Sequence, residues 1–294
     1  MRYRGWVIVL TLGLCGIGVC PARADDVEMV KEKLFQAKKE YDAEVQKFKK
    51  AVTDKLNQRE DDARKAGNKK QVDQIKAERD AFEKTGECPQ MVPASIREPV
   101  AAARTKLDKA YTAAIKEYVR LKMDDAAGAT EKEQGEFFLT STLMLGKKTY
   151  LTSLKHFDVK VLKNWFANDG TCGEIGPATV KLNGEVIPHS IFLHVPEMDF
   201  AQVRYPLGGK STVFHATIGD VKFRDDQTDP FSAMTFEVLG DDKSLWKSEP
   251  VTKMNSFQKC TISIAKVKTL TLRVHCKDNN GWGCAFWIEP ILAE

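Results

Sequence analysis

The apolar positions change period near the middle of the chain. From Val30 they fall at Leu34, Ala37, Tyr41, Val45, Phe48, Val52 and Leu56. Steps of three and four lay a single stripe along a helix, the seam of a coiled coil or bundle. The stripe weakens at Ala66-Gly67-Asn68, where a turn or kink is expected, and resumes through Val72, Ile75, Arg79 and Phe82. The segment from Gly86 to Pro93, with Pro89 inside it, ends the run. Ser95 followed by Glu98 reads as a capping box for a second long helix, whose face carries Leu107, Tyr111, Ile115, Tyr118 and the stem of Lys122. Residues 25–123 are expected to form an antiparallel helical hairpin or three-helix coiled-coil arm, and 124–148 a linker with a short helix.

From about Thr149 the period becomes two. Phe214, Ala216 and Ile218 alternate with His215 and Thr217, and Met234, Phe236 and Val238 make the next apolar face. Gly240-Asp241-Asp242 turns the chain into Leu245-Trp246. Ile262 and Ile264 follow, then Leu270, Leu272 and Val274 alternating with Thr271, Arg273 and His275, and finally Cys284, Phe286 and Ile288 on one face of the last strand. Short strands, polar turns and no intervening helices predict an all-β sandwich over 149–294, so the fold class is multidomain, helical arm first and β-sandwich second.

Ahead of both halves, Arg2 and Arg4 precede the 14-residue apolar run Trp6–Val19, and Ala22-Arg23-Ala24 supplies a small-x-small site. That order is the order of a signal peptide over 1–24. The run is shorter than the roughly 20 residues a membrane helix needs, and no second run of spanning length follows. The expectation is an exported chain, periplasmic or extracellular, with no stable membrane span after cleavage. The alternatives are an uncleaved anchor and lipidation at Cys20, although Val19 is bulkier than the small residue a lipidated cysteine follows.

Charge and cysteines narrow the chemistry. Residues 25–84 hold 16 Lys or Arg and 15 Asp or Glu, so this run reads as the solvated face of a helix rather than a one-signed binding surface. The formal net charge of +4 falls to near +1 once Arg2, Arg4 and Arg23 leave, which removes the electrostatic argument for nucleic acid as a partner. Loss of Cys15 and Cys20 leaves Cys88, Cys172, Cys260, Cys276 and Cys284, an odd set in an oxidising compartment. No Cys-x-x-Cys occurs among them, so neither a zinc ribbon nor a thioredoxin-like site is supported. Cys276 and Cys284 flank the loop 277–283 and are the pair placed to cross-link the strands it joins; the alternative is buried, reduced thiols. No Gly-x-Ser-x-Gly, His-Glu-x-x-His or phosphate-binding loop occurs, and a non-enzymatic protein is expected. No cofactor is expected beyond a structural calcium, for which Asp220, Asp225, Asp226 and Asp229 offer oxygens without the spacing of an EF-hand.

A set of ordered motifs carries a family resemblance. These are Ser190-Ile-Phe-Leu-His-Val195, Tyr205-Pro-Leu-Gly-Gly-Lys210, Phe214-His-Ala-Thr-Ile-Gly219, Phe236-Glu-Val-Leu-Gly-Asp-Asp242 with Ser248-Glu-Pro-Val251, and Gly281-Trp-Gly-Cys-Ala-Phe-Trp287. In order and spacing, residues 150–292 resemble the NPCBM family of carbohydrate-binding modules. The resemblance implies a galactose-binding-like jelly-roll sandwich and sugar binding at the loops of one end, with a structural calcium in some members. It covers about half of the mature chain and none of the helical arm; an arm of this kind ahead of such a module resembles planctomycete envelope architectures. Where the family carries Asp-His and a second Asp, this chain has Gly283, Cys284 and Phe286, so polar groups that would hold sugar hydroxyls or order the loop are missing.

Sugar recognition pairs an aromatic face with planar hydrogen-bonding groups. The stretch Asp278-Asn279-Asn280-Gly281-Trp282 offers both, with Trp282 as the stacking residue and Asp278 and Asn280 as polar partners. His194 and Arg204 are the further candidates. Each has a structural reading: Trp282 as a loop anchor, Asn280-Gly281 as a turn, His194 as a satisfied structural histidine, Arg204 as a solvated charge. Trp287 reads as core. The expected partner is a glycan or cell-envelope polysaccharide, with the arm as spacer or homo-oligomerisation element. The competing reading is an envelope scaffold whose sandwich binds no sugar.

Overall fold

The computed structural model describes residues 21–85, 88–89, 92–172, 181–182, 185–222, 228–230, 232–281 and 283–294. Of the expected signal peptide 1–24, residues 1–20 lie outside these residues. No described helix is long and apolar enough to cross a membrane.

The helical half consists of α1 (Pro21–Lys65), α2 (Lys69–Thr85), α3 (Ala94–Arg120) and α4 (Asp124–Leu145). The stripe on α1 serves two neighbours. Its later part buries Phe48, Val52, Leu56 and Ala63 with Val72, Ile75 and Phe82 of α2. Its earlier part buries Leu34 and Ala37 with Leu107, Tyr111, Ala114 and Tyr118 of α3. Ion pairs Arg59–Glu78 (2.6 Å) and Arg79–Glu60 (2.7 Å) border the α1–α2 seam. The turn expected at Gly67 is present: Gly67 has φ +67, and the N–H groups of Gly67 and Asn68 donate to Arg64 O and Ala63 O. That is the helix-ending pattern a left-handed residue permits. The Asn68 side chain then caps α2 by accepting from Gln71 N–H at 3.1 Å.

Two details of the arm differ from the sequence reading. The capping box does not form: Pro93 stands at the N-cap of α3, with φ −59 and no side-chain cap. The proline ring presets the entry angle that the Ser95–Glu98 pair was expected to supply. Residues 124–145, expected as linker and short helix, form the 22-residue helix α4. Its buried positions are Ala127, Thr130, Ser141 and Thr142, mostly small and polar, which hides them from a hydrophobic-period search. Phe137 meets Tyr41 and Tyr111 at 5.1 and 5.6 Å, and Arg104 donates to Ser141 Oγ (2.8 Å) and Thr142 Oγ1 (2.7 Å). Lys122, expected on the α3 face, is instead the left-handed residue (φ +57) between α3 and α4.

The second half is the expected antiparallel sandwich. Its strands are β1 (Lys148–Tyr150), β2 (Phe157–Lys160), β3 (Phe166–Ala167), β4 (Lys181–Leu182), β5 (Glu185–Val186), β6 (Ser190–His194), β7 (Phe200–Pro206), β8 (Val213–Asp220), β9 (Met234–Gly240), β10 (Lys243–Lys247), β11 (Phe257–Ser263), β12 (Thr269–Cys276) and β13 (Cys284–Ala293). The first sheet runs β11-β8-β13-β6-β3 with β1 also paired to β13, the second runs β10-β9-β12-β7-β2, and β4–β5 is a separate hairpin. From β6 onward nearly every connection crosses between sheets, as expected of the jelly-roll. Alternation decides the core: Ala201, Val203 and Tyr205, Phe214, Ala216 and Ile218, Met234, Phe236 and Val238, and Leu270, Leu272 and Val274 are all fully buried between the sheets. Asp241 and Asp242 (φ +48 and +66) form a two-residue turn between β9 and β10, so this acidic pair is turn chemistry.

Trp287 lies at the centre of the core, fully buried, with Phe236 at 5.3 Å edge-on and Phe214 at 6.2 Å. Its indole N–H has no acceptor among the described residues. Trp287→Ala is expected to cost about 3–5 kcal/mol of unfolding free energy. Trp287→Phe, which also removes a buried unpaired donor, should cost clearly less. Urea denaturation of the two variants checks the order.

Candidate functional site

One end of the sandwich gathers the sequence candidates. There β6 runs into the loop 195–199 and β12 into the loop 277–283. The two loops are zipped together by hydrogen bonds. Met198 N–H donates to Asp278 O (3.1 Å), Cys276 N–H to Asp199 O (2.9 Å), and the Asn280 side-chain amide to Val195 O (3.0 Å). Asn280 O in turn accepts from Gly283 N–H (2.8 Å), and Asn279 Oδ1 from Gly281 N–H (2.7 Å). Asn280 is therefore a clamp between loops, the structural member of its two readings. Asp278 is exposed at the same end. Trp282 lies outside the described residues.

His194 is buried and closes the first-sheet side of this end. Its Nδ1–H donates to Gly283 O at 2.9 Å, and the Trp165 ring stacks on it at 4.8 Å. Because a carbonyl can only accept, Nδ1 carries the proton, and neutral His194 has Nε2 as its acceptor. Arg204 does not join the site. It lies farther along β7, held by Asp242 (2.9 Å) and Asp158 (3.6 Å) beside the Phe157 ring.

No disulfide joins Cys276 to Cys284. Cys276 turns into the inter-sheet core, whereas Cys284 turns to the opposite face of the first sheet, among Phe192, Phe286 and Cys172. The loop brings their strands close in sequence but points their side chains into different clusters. Burial pushes the Cys172 thiol up to about 12 and raises Cys260 as well, so these thiols are inert hydrophobes. Of the four aspartates named for a structural calcium, Asp220 and Asp229 are described. Asp229 Oδ1 accepts from Met254 N–H (2.9 Å), Asp225 and Asp226 lie outside the described residues, and no group of three or more His, Cys, Asp or Glu fit for a metal occurs among those described.

What the fold does bring together is a cavity of about 540 Å³ on the second-sheet flank of this end, lined by Met198, Asp199, Phe200, Thr235, Lys247, His275, Cys276 and Lys277. Strand register builds it. Phe200, His275 and Thr235 stand in one row across β7, β12 and β9, and Lys160, Gln202, Arg273, Glu237 and Lys247 in the next. Within these rows His275 Nε2–H donates to Glu237 Oε2 (2.7 Å), and Arg273 to Gln202 Oε1 (2.9 Å). Lys160 pairs with Asp199 (2.7 Å) and sits 3.8 Å from the Phe200 ring centre. Burial acts to raise the Glu237 pKa, but hydrogen bonds from His275 and Ser244 outweigh it and hold the carboxyl below its usual range. Lys160, with the Phe200 N–H, does the same for Asp199. The sequence showed Arg273 and His275 only as the polar side of an alternating strand; it contained no sign that Phe200 and Thr235 flank His275, because that depends on strand order.

The burial of neutral imidazoles has a consequence for stability. Burial pushes the pKa of His194 and of His215 below the ordinary 6.5. The unfolded chain thus takes up protons near that pH that the folded chain refuses, so stability is full above it and declines as pH falls through it. Denaturation midpoints are expected to drop between about pH 7.5 and about pH 5.5, and His194→Gln with His215→Gln should shrink that drop.

Residues 172–293 match the family model described as NPCBM/NEW2 domain. No curated protein matches the chain. Among solved structures, the chain is similar to the CBM51-2 and INT domains of Clostridium perfringens ZmpB, at 17% identity and TM-score 0.41, covering 50% of this chain and 32% of that one. It is also similar to the CBM51 of Clostridium perfringens GH95 in complex with methyl-galactose, at 18% identity and TM-score 0.40, covering 50% of this chain and 100% of that one. A third is the tandem CBM51 modules of Sp3GH98 from Streptococcus pneumoniae SP3-BS71, at 15% identity and TM-score 0.40, covering 50% of this chain and 46% of that one. The chain spans less than half the length of the first and third of these. The match to the NPCBM/NEW2 domain model lies within the C-terminal sandwich, and the four helices that precede it lie outside the matched residues.

Proposed function

We propose that this chain is an exported, non-enzymatic glycan-binding protein that holds a sugar at the loop end of its C-terminal sandwich. The observation that carries the reading is the cavity between Met198–Phe200 and His275–Lys277. Its volume suits a sugar ring, and it offers an aromatic residue (Phe200), a hydroxyl (Thr235) and an imidazole already oriented by Glu237. The match to a carbohydrate-binding domain family supports the same ligand class. Trp282 belongs to the loop that borders this cavity through Lys277, and in this proposal it is the stacking residue. The helical arm acts as spacer.

The test is binding of the full chain to an array of galactose-containing and related glycans, followed by calorimetry on the best ligand. His275→Ala, which removes an oriented hydrogen-bonding group, is expected to weaken binding by roughly ten-fold, about 1.4 kcal/mol. Phe200→Ala and Trp282→Ala should each weaken it at least as much. Binding to no glycan on a broad array, by a chain whose circular dichroism shows it folded, would overturn the proposal.

A second role for the arm rests on Met29, Phe35 and Val119, large apolar residues left exposed on α1 and α3. They favour self-association of the arm in an envelope assembly. The full chain is expected to sediment above its monomer mass, and Phe35→Ser with Val119→Ser to return it to monomer; a wild-type chain that stays monomeric would rule this role out.

A further inference from the structure

We propose that the loop-end cavity selects an acidic sugar, one bearing a carboxylate or sulfate. This rests on the glycan reading above and narrows it. The cavity wall carries unbalanced positive charge. Its one acidic residue, Asp199, is neutralised: Lys160 reaches both carboxylate oxygens (2.8 and 2.7 Å), and the Phe200 N–H occupies Oδ1 at 2.8 Å. The nearby carboxylate of Glu237 is taken by His275 at 2.7 Å. Two cations remain on the wall, Lys247 and Lys277.

Both lysines are exposed and neither forms an ion pair among the described residues. Lys247 stands across from Glu237 in the β9–β10 register, and its field helps keep that carboxylate ionised without bonding to it. Lys277 leaves β12 at the mouth of the cavity, directly after Cys276. The neutral part of the wall is mixed. Met198 and Phe200 are apolar, and Thr235 and His275 can hydrogen-bond. A sugar ring satisfies that mixture, and one anionic substituent on it satisfies the two ammoniums, which no neutral hydroxyl does as well. Electrostatic attraction of this exposed kind is screened by salt, which gives the proposal its signature.

The experiment titrates the full chain with three matched probes: trigalacturonate, galactotriose, and a sulfated galactose oligosaccharide. At low salt, trigalacturonate or the sulfated probe is expected to bind roughly ten-fold tighter than galactotriose, the advantage shrinking several-fold in about 0.5 M NaCl. Whichever of the two anions binds tighter identifies the charged group. Lys247→Gln with Lys277→Gln should erase the advantage, so that the anionic probes bind this variant no more tightly than galactotriose does. Galactotriose binding as tightly as both anions would overturn the acidic-sugar inference and leave the glycan reading standing. Failure of all three probes, and of every array glycan, would overturn both. An anionic advantage that survives the double lysine variant would overturn the assignment of this cavity.

Discussion

Strand β13 has to be buried on both of its faces, and that requirement organises the sandwich. Ala285 and Trp287 point into the core shared with the second sheet, while Cys284, Phe286 and Ile288 point the other way, into a cluster with Ala167, Cys172, Ile187 and Phe192. A strand with no solvent face needs a partner sheet on one side and a cover on the other, and the segment around β3 and the residues before β6 supply that cover. The register irregularity between Ile288 and Ile291, with Glu289 at φ +48, changes which residues face inward, so that Leu292 rather than Ile291 continues the core. Beyond it, β13 pairs with β1, the first strand after the helices. The same strand therefore fixes where the sandwich meets the arm and where the loop before Cys284 must end.

That loop inherits its geometry from the core and passes it on. With Gly283 held by its place before β13, the Asn280 amide on Val195 O and the Met198 N–H on Asp278 O fasten two loops into one surface. The outer face of the second sheet completes it. Its rows set cations beside carboxylates and amides: Arg204 with Asp158 and Asp242, Arg273 with Gln202, Lys160 with Asp199, His275 with Glu237. On a half-exposed sheet each such pair contributes little to stability, but together they order side chains that would otherwise be solvated at random. The rows end at the loop side of the sheet, and there the cavity opens.

The parts of this structure legible in the sequence are those with a period. The three-and-four stripe of Val30 to Leu56 and the strict alternation of Leu270 to Val274 each name their element, because burial of one face leaves a regular mark. Helix α4 left no mark, since its buried positions are Ala127, Thr130, Ser141 and Thr142 and several of its contacts are hydrogen bonds from Arg104. The short strands β1, β2 and β3 are too brief for alternation to register. The site was legible only as a place. The loop 277–283 and His194 do sit at one end, but Phe200, Thr235 and Lys247 reach it through strand order, which cross-sheet connections conceal from a linear reading. Parity correctly put Cys276 and Cys284 on buried faces, but it does not say that the two faces are opposite sides of different sheets.

The departures from the family pattern explain where at this end polar chemistry resides. Gly283, Cys284 and Phe286 stand at the positions where polar groups were expected, and all three are buried. Gly283 offers only backbone groups: its N–H donates to Asn280 O and its carbonyl accepts from His194, while Trp165 covers His194 from the other side. The first-sheet flank of the loop end is thus filled by packing, with its one imidazole turned to structural use. On the second-sheet flank the opposite holds: His275, Thr235, Lys247 and Lys277 line open space, and their neighbours on the sheet are already paired. Loss of polar residues from one flank and their concentration on the other are two consequences of the same packing. Burying the outer face of β13 seals the side it lies on and leaves β12, whose outward residues stay polar, to present the chemistry.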